Sequence, residues 1–152
     1  MTIPQVSVNE LADHLGTEWG PTEVFRIDQD EVDQFARLVH DQQWIHVDPE
    51  RSASGPFGAT IVHGFFALAM CTRILDESVE ITGYAQAINY GLDRVRFPRA
   101  LPVGAPAAGT VHLDSVAEVA GGVQAAFDIT LTVEGDDRPC MAARFLVRYL
   151  TA

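Results

Sequence analysis

The feature that most constrains the fold is a change in hydrophobic period near residue 80. From residue 61 to about residue 79, apolar side chains occur on nearly every side of a helix, which is typical of a helix enclosed by protein. Beyond it apolar and polar residues alternate, which predicts strands at 85–97, 107–119, 123–133 and 141–150. Such a chain has one long helix with which to cover a sheet of long strands.

The residues before this helix predict shorter elements. Ser7 and Glu10 form a capping-box pattern, which predicts a short helix that ends at Gly16. Residues 22–27 alternate enough to predict a first strand. Asp28 is then predicted to cap a helix with apolar residues at helical spacing. This helix would deliver the chain to the segment that carries the chemistry.

A further capped helix is predicted at Asp48, with Pro49 at its first position. Helices and strands therefore segregate along the chain, which predicts an α+β fold with an antiparallel sheet of about five strands. No repeat or linker divides the sequence, so residues 1–152 are predicted to form a single domain. The exposed edge of such a sheet invites pairing, which predicts a homodimer.

Charge and composition exclude several functions. The 152 residues are 47% hydrophobic and 20% charged, which is ordinary for a globular protein. The formal net charge of −11 argues against nucleic-acid and anionic-membrane partners. Proteins bind such surfaces by neutralising phosphates with lysine and arginine side chains. All ten basic residues are arginine, and the absence of lysine excludes Schiff-base and P-loop lysine chemistry.

The cysteines and the N-terminal segment bear on the compartment. Cys71 and Cys140 fit neither a metal motif nor a disulfide framework, which indicates a reducing environment. The N-terminus has no basic region followed by an apolar one, and no uninterrupted apolar stretch of about 18 residues occurs. The protein is therefore expected to be cytoplasmic.

The segment richest in chemistry lies between the Asp28 helix and the long helix. Asp41 and His46 are five residues apart, so they cannot share a helix face and would cooperate only on an irregular segment. Two interpretations stay open, namely an acid–base pair, or a helix-ending aspartate followed by a hydrogen-bonded structural histidine. The spacing alone favours the structural interpretation.

A family resemblance changes that balance. The sequence DQQWIHVDPE at residues 41–50, followed by His63-Gly64, closely resembles the hydratase-2 motif of MaoC-like dehydratases, the R-specific enoyl-CoA hydratases. Residues 89–98 and 102–104 are also similar to single-domain members, so the resemblance covers most of the chain. His40 stands where the family commonly has glycine, and Gln43-Trp44 where it has Asn-Pro. The resemblance implies the hotdog fold, in which an antiparallel sheet wraps around a long helix, normally as a dimer.

The resemblance also implies an activity. Asp41 and His46 would hold one water and add it reversibly, with syn geometry, to trans-2-enoyl-CoA, giving (R)-3-hydroxyacyl-CoA. The backbone N–H of Gly64 would stabilise the negative charge on the thioester oxygen, although helix packing also accounts for a glycine there. Candidates for support of the site are His63, Thr72 and Trp44, and candidates for coenzyme A binding are Tyr90, Arg94 and Arg96.

Other interpretations remain beside this one. Thr72 is equally well explained as an ordinary helix residue, and the arginines as offsets to surface acids. No cofactor is expected, since coenzyme A is part of the substrate. A metal site formed by His63, His46 and Asp48 is not expected either, because their spacing matches no zinc motif.

Two alternative functions are a hotdog acyl-CoA thioesterase and a non-catalytic subunit that binds acyl-CoA or an acyl carrier. Within the hydratase hypothesis, the sequence leaves open the acyl chain length and the choice between coenzyme A and a carrier protein. It also leaves open the pathway, its direction, and which of Asp41 and His46 acts as the base.

Overall fold

The computed structural model describes residues 2–151 and consists of two sheets and five helical segments. The strands are β1 (Gln5–Ser7), β2 (Glu18–Trp19), β3 (Glu80–Thr82), β4 (Gln86–Arg96), β5 (Ala107–Val119), β6 (Gly122–Val133) and β7 (Met141–Leu150). The helices are a 3₁₀ helix (Val8–His14), α1 (Gln29–Val39), α2 (Trp44–Val47), α3 (Pro49–Ala53) and α4 (Gly64–Ser78).

The main sheet is five-stranded, antiparallel and ordered β2-β5-β6-β7-β4. Alternate residues of its long strands point into the core, and in β7 these are Met141, Ala143, Phe145, Val147 and Tyr149. They pack against the buried face of α4, which carries Ala67, Cys71, Ile74 and Leu75. The predicted α+β hotdog fold is therefore confirmed, and β4 to β7 lie within one residue of their predicted bounds.

The prediction of a strand at residues 22–27 is wrong. Only Phe25 of this segment forms a bridge, with Ala107 of β5. The backbone N–H groups of Thr22 and Phe25 donate to β5 carbonyls, and these two residues are three apart. A strand ladder needs hydrogen bonds at a spacing of two, so the segment runs beside β5 without joining it. The fifth strand is the two-residue β2 instead.

The N-terminal helix is present but is a 3₁₀ helix. The Ser7 hydroxyl accepts a hydrogen bond from the Asn9 N–H at 3.3 Å, which caps the first turn. Just before it, β1 pairs in parallel with β3, immediately after α4. This small sheet attaches the N-terminal segment to the end of the central helix.

The central helix begins three residues later than predicted and is open on one side. Residues 61–63 are extended, and Ile61 forms a bridge with Pro102 before α4 starts at Gly64. Phe65, in its first turn, is 75% exposed. The apolar residues on all sides of this helix are therefore only partly covered within one chain.

No helix within residues 2–151 is both long enough and apolar enough to cross a membrane. The prediction of a single domain covers residues 1–152, of which residues 1 and 152 lie outside the described part, and it stays a prediction.

Candidate active site

Helix α1 positions Asp41. Asp28 and Glu31 form a reciprocal capping box at its start, with both side chain to backbone hydrogen bonds at 2.9 Å. The helix ends at His40, whose φ of 59° places it in the left-handed region. The Asp41 N–H then donates to the Ala36 carbonyl at 3.1 Å. A left-handed residue at this point explains why a glycine suits the position before the aspartate.

His46 lies in the short helix α2 and is buried. Its Nδ1 is 2.7 Å from the Ile61 carbonyl oxygen, and a carbonyl only accepts, so Nδ1 carries the hydrogen. The lone pair of Nε2 is therefore left for other partners. Burial lowers the pKa of His46 below its usual 6.5, and the neighbouring His63 lowers this pKa further, against the raising effects of the Ile61 bond and Asp41.

The carboxylate of Asp41 is half-buried and accepts a hydrogen bond from the Gln43 side-chain amide at 3.2 Å. Its backbone carbonyl accepts from Nε2 of His63 at 2.9 Å. Ring nitrogens of His46 and His63 and a carboxylate oxygen of Asp41 all lie within 4.8 Å of one another. The structure thus brings the predicted pair together and adds His63 to it.

This cluster has the residue types of a metal site but an unfavourable geometry for one. The imidazoles of His46 and His63 are stacked, with centroids 3.8 Å apart and planes inclined by 21°. A metal ion lies close to the plane of each ligating imidazole, about 2.1 Å from the nitrogen. The planes of two rings stacked at so small an angle intersect much farther than about 2.1 Å from the ring nitrogens. One ion therefore cannot lie in both ring planes at bonding distance. The geometry supports the expectation of no metal, which stays a prediction.

Gly64 is the first residue of α4, and among residues 2–151 no acceptor pairs with its N–H. Such a free N–H at a helix N-terminus attracts negative charge. A Cβ built on Gly64 would lie 3.0 Å from the ring of Phe97, so a larger residue here would crowd that ring. Backbone access and close packing both account for this residue.

Two cavities share His46 and Gly64 in their linings. One, of about 360 Å³, is also lined by Asp41, His63, Phe35 and Phe65. The other, of about 390 Å³, has mainly apolar walls, and its lining includes Phe57, Phe97, Leu101, Cys140 and the cationic Arg99. His46 therefore borders both cavities.

Thr72 and Trp44 lie outside these cavities. Thr72 is on α4, accepts a weak hydrogen bond from Asn89 at 3.4 Å, and lines a separate cavity of about 710 Å³. The ring of Trp44 packs against Gly55 and lies 4.3 Å below the guanidinium of Arg51. Trp44 therefore shapes the α2–α3 segment rather than the cavity wall.

The structure does not bring the predicted coenzyme A residues to the cluster. Arg94 and Arg96 pair with Arg144 and Ala142 of β7, on the face of the sheet that points away from the core. The ring of Tyr90 lies 3.4 Å below the guanidinium of Arg148 on the same sheet. Arg99, which belongs to the same run of arginines, is the one that reaches the cavity beside His46.

Gln29 and Thr60 were missed by sequence reasoning. The Gln29 amide donates to the His46 backbone carbonyl at 2.7 Å and accepts from the Thr60 hydroxyl at 2.6 Å. These bonds fasten α1, α2 and the strand-like segment before α4 to one another. Gln29 is separated by 17 and 31 residues from these partners, and a glutamine after a helix cap carries no local signal of such a role.

The chain is similar to known proteins over most of its length. Residues 10–134 match the model of the MaoC like domain family. The chain is 45% identical to 3-hydroxyacyl-thioester dehydratase Z of Mycobacterium tuberculosis, over 95% of this chain and 96% of that protein. It is 33% identical to nodulation protein N of Rhizobium leguminosarum, over 93% of this chain and 90% of that protein.

Solved structures share the fold. The (R)-hydratase from A. caviae involved in PHA biosynthesis matches with a TM-score of 0.73 and 21% identity, over 89% of this chain and 96% of that one. R-hydratase PhaJ1 from Pseudomonas aeruginosa matches with a TM-score of 0.68 and 16% identity, over 91% and 83% of the two chains. At these identities the likeness establishes a common architecture.

Proposed function

Since this chain belongs to the MaoC-like domain family, we propose that it is a hydro-lyase that reversibly hydrates trans-2-enoyl-CoA to (R)-3-hydroxyacyl-CoA. The observation that carries the proposal is that three groups belong to residues lining one cavity. These are the Asp41 carboxylate, the free Nε2 lone pair of His46 and the unpaired N–H of Gly64. A bound enoyl thioester needs an acceptor for the protons of water and a donor for the thioester oxygen.

In the proposed reaction, Asp41 and His46 each accept a hydrogen bond from one water molecule. The water oxygen attacks C3 of the substrate, the C2–C3 double bond becomes an enolate, and the proton lost by water is returned to C2. Because both groups belong to one cluster, water and proton reach the same face of the substrate, which gives syn addition. General acid–base catalysis of this kind contributes about 10²–10⁴-fold in rate.

Gly64 is proposed to stabilise the enolate. Negative charge develops on the thioester oxygen during attack, and a preorganised backbone N–H at a helix N-terminus interacts more strongly with that charge than with the neutral substrate. The glycine also keeps side-chain atoms away from the path of the thioester. No metal and no separate cofactor are needed for this chemistry.

The substrate class is proposed from the relatives and the cavities together. The protein that is 45% identical is named a thioester dehydratase, which is the reverse of the proposed hydration. The larger of the two cavities that border His46 is mostly apolar, and Arg99 in its lining is partly exposed to solvent. We assign the thioester to the junction at His46, with coenzyme A or a carrier arm as the group attached to it.

A homodimer is part of the proposal. Strand β4 is the edge of the main sheet, and its apolar side chains Ile88, Tyr90 and Leu92 are between 42% and 52% exposed. Phe65 beside the catalytic cluster is more exposed still. An exposed apolar edge strand is a ready surface for a second sheet. A cytoplasmic location remains an expectation from the sequence.

The test is to mix the purified protein with crotonyl-CoA and follow the absorbance of the conjugated thioester, coupled separately to R-specific and S-specific hydroxyacyl dehydrogenases. Loss of the conjugated band with only R product is the expected result. Release of free thiol would identify a thioesterase instead. No change in absorbance and no thiol, with binding retained, would favour the non-catalytic subunit.

A further inference from the structure

His63 contacts both members of the proposed catalytic pair, although it lies on a different element. It is the N-cap residue of α4 and is only 3% exposed. Its Nε2 donates to the backbone carbonyl of Asp41 at 2.9 Å, and its ring is stacked on that of His46 at 3.8 Å. One side chain thus fixes the backbone that carries the acid and the plane of the base.

A second aromatic ring also packs against the imidazole of His63. The ring of Phe35 on α1 lies 5.1 Å from His63, inclined by 54°, and Phe35 is itself stacked on Phe66 of α4 at 4.8 Å. The orientation of His63 is therefore set by packing against two rings and by one hydrogen bond.

The tautomer of His63 follows from its single hydrogen bond. The Asp41 carbonyl only accepts, so Nε2 carries the hydrogen and Nδ1 carries a lone pair. Nδ1 is buried and has no partner among the described residues. A buried polar atom without a partner costs about 1–3 kcal/mol, so a residue selected for packing alone would be better replaced by a phenyl ring. The unpaired nitrogen indicates that an imidazole is required for another reason.

We propose that His63 is a positioning residue that holds Asp41 and His46 in register and opposes protonation of His46 by stacking a second imidazole against it. Two cationic rings at stacking distance repel each other, so a proton on one ring disfavours a proton on the other. This inference rests on the proposed function, because an unprotonated His46 is useful only if its lone pair accepts a hydrogen bond from the attacking water.

The charges around His46 agree with this role. The titratable groups that share a cavity with it are Asp41 and His63 on one side and Arg99 and Cys140 on the other. Of these, His63 lowers the pKa of His46 and Asp41 raises it, while burial lowers it most. Removing the imidazole of residue 63 should therefore let His46 accept a proton at higher pH.

Two substitutions separate the contacts of His63. His63→Gln keeps an amide donor for the Asp41 carbonyl but removes the stacked ring, and His63→Phe keeps a flat ring but removes the donor. His112→Gln is the matched control, since His112 lies partly exposed on β5, away from the cluster. Circular dichroism melts establish which variants are folded before activity is measured.

We expect kcat to fall by about tenfold or more in both variants, with KM changed by less than about twofold, since small displacements of catalytic groups affect mainly the chemical step. The acidic limb of the kcat/KM profile should move to higher pH in both variants and stay in place in His112→Gln. Folded variants with an unmoved acidic limb and a kcat within twofold of wild type would overturn the proposal.

A titration of the wild-type histidine ring protons by NMR tests the same idea without turnover and without variants. We expect coupled titration curves for His46 and His63, in which protonation of one ring displaces the other. Two independent single-step curves would overturn the proposal even if both variants failed to fold. If the wild-type protein does not hydrate crotonyl-CoA but the curves are coupled, the proposed function is wrong. The inference that His63 opposes protonation of His46 would still be supported.

Discussion

At the scale of single residues, a backbone carbonyl decides which nitrogen of His46 carries the hydrogen. The Ile61 carbonyl keeps the hydrogen of His46 on Nδ1, so Nε2 is the nitrogen that carries the lone pair. A lone pair on a buried neutral imidazole is a proton acceptor with little competition from bulk water. Asp41 is less buried, and a carboxylate oxygen lies within 4.8 Å of a ring nitrogen of His46.

Asp41→Asn should reduce kcat/KM for crotonyl-CoA at least about 100-fold, because the amide cannot accept a proton and general acid–base groups contribute that much. The amide still has an oxygen for the Gln43 side chain, so the melting temperature should change little. Asp13→Asn, on the exposed surface of the 3₁₀ helix, is the control and should keep full activity. Activity equal to wild type in Asp41→Asn would refute the role of the pair.

The depressed pKa of His46 predicts how activity depends on pH. Burial and the neighbouring His63 hold its pKa below 6.5, so it stays neutral at pH 7 and loses its lone pair only below that value. The acidic limb of the kcat/KM profile of the free enzyme should therefore have its midpoint below pH 6.5. An acidic limb centred above pH 6.5 would contradict this.

The same shift affects stability. The pKa of His46 is lower in the folded protein than in the unfolded chain, so below pH 6.5 the unfolded chain binds more protons at this residue. The free energy of unfolding should therefore decrease as the pH falls from 6.5 towards the pKa of the folded state. Urea titrations at pH 7 and at successively lower pH measure this. His46→Gln should flatten this part of the pH dependence, and an unchanged slope in that variant would assign the effect to other groups.

At the scale of elements, the site depends on how α1, α2 and α4 are fastened to one another. The Gln29 side chain ties α1 to α2 through the His46 carbonyl, and it receives the hydroxyl of Thr60 from the segment before α4. These contacts place the cluster at the junction of three elements rather than on one loop. Contacts between elements hold side chains in fixed relative positions, as catalytic groups require.

Gln29→Ala should lower the free energy of unfolding by about 1–3 kcal/mol, because it leaves the His46 carbonyl and the Thr60 hydroxyl without their partner. It should also lower kcat, since α2 would lose its attachment to α1. Gln34→Ala, on the exposed face of the same helix, serves as the control and should do neither. Equal urea midpoints for the two variants would show that the Gln29 contacts are unimportant.

The end of α1 offers a stabilising substitution. His40 has a left-handed backbone, which is about 1–2 kcal/mol unfavourable for a residue with a Cβ. His40→Gly should raise the free energy of unfolding by about 0.5–1 kcal/mol after the greater freedom of glycine in the unfolded chain is counted. His40→Ala keeps the Cβ and should give no gain. Chemical denaturation of the three proteins measures the difference.

At the scale of the whole molecule, one chain leaves an apolar edge uncovered next to the site. Strand β4 has one hydrogen-bonded neighbour, β7, and its side chains are mostly exposed along its whole length. The exposed Phe65 lines the same cavity as Asp41 and His46. Association of two chains along β4 would cover the edge strand.

Leu92→Glu should convert a dimer into a monomer of 16.6 kDa, measured by size exclusion with light scattering. A carboxylate on the paired edge would have to be desolvated, which is strongly unfavourable without a partner. Leu38→Glu is the control, since Leu38 is 78% exposed on α1, away from β4. A dimer that persists in Leu92→Glu, or a monomeric wild type, would contradict pairing along β4.

The elements that were predicted correctly are those with a local cause. Alternation specified β4 to β7, an aspartate followed by apolar residues at helical spacing specified α1, and Asp48-Pro49 specified the start of α3. Period and capping act over a few residues, so they can be read without knowledge of the rest of the chain. Asp41, His46 and Gly64, which line one cavity, were singled out by a short motif, and their roles stay a prediction. Only the motif, not the spacing of these residues, indicated that they cooperate.

Contacts between distant residues were decided by the tertiary structure alone. His63 reaches Asp41 across 22 positions, and Gln29 reaches Thr60 across 31. The register of β4 against β7, which two irregularities interrupt, places Arg94 and Arg96 on the outer face, whereas Arg99 lines the cavity beside His46. The failed strand at residues 22–27 has the same origin, since alternation shows that a segment is able to pair, whereas pairing itself depends on the register of the strand beside it.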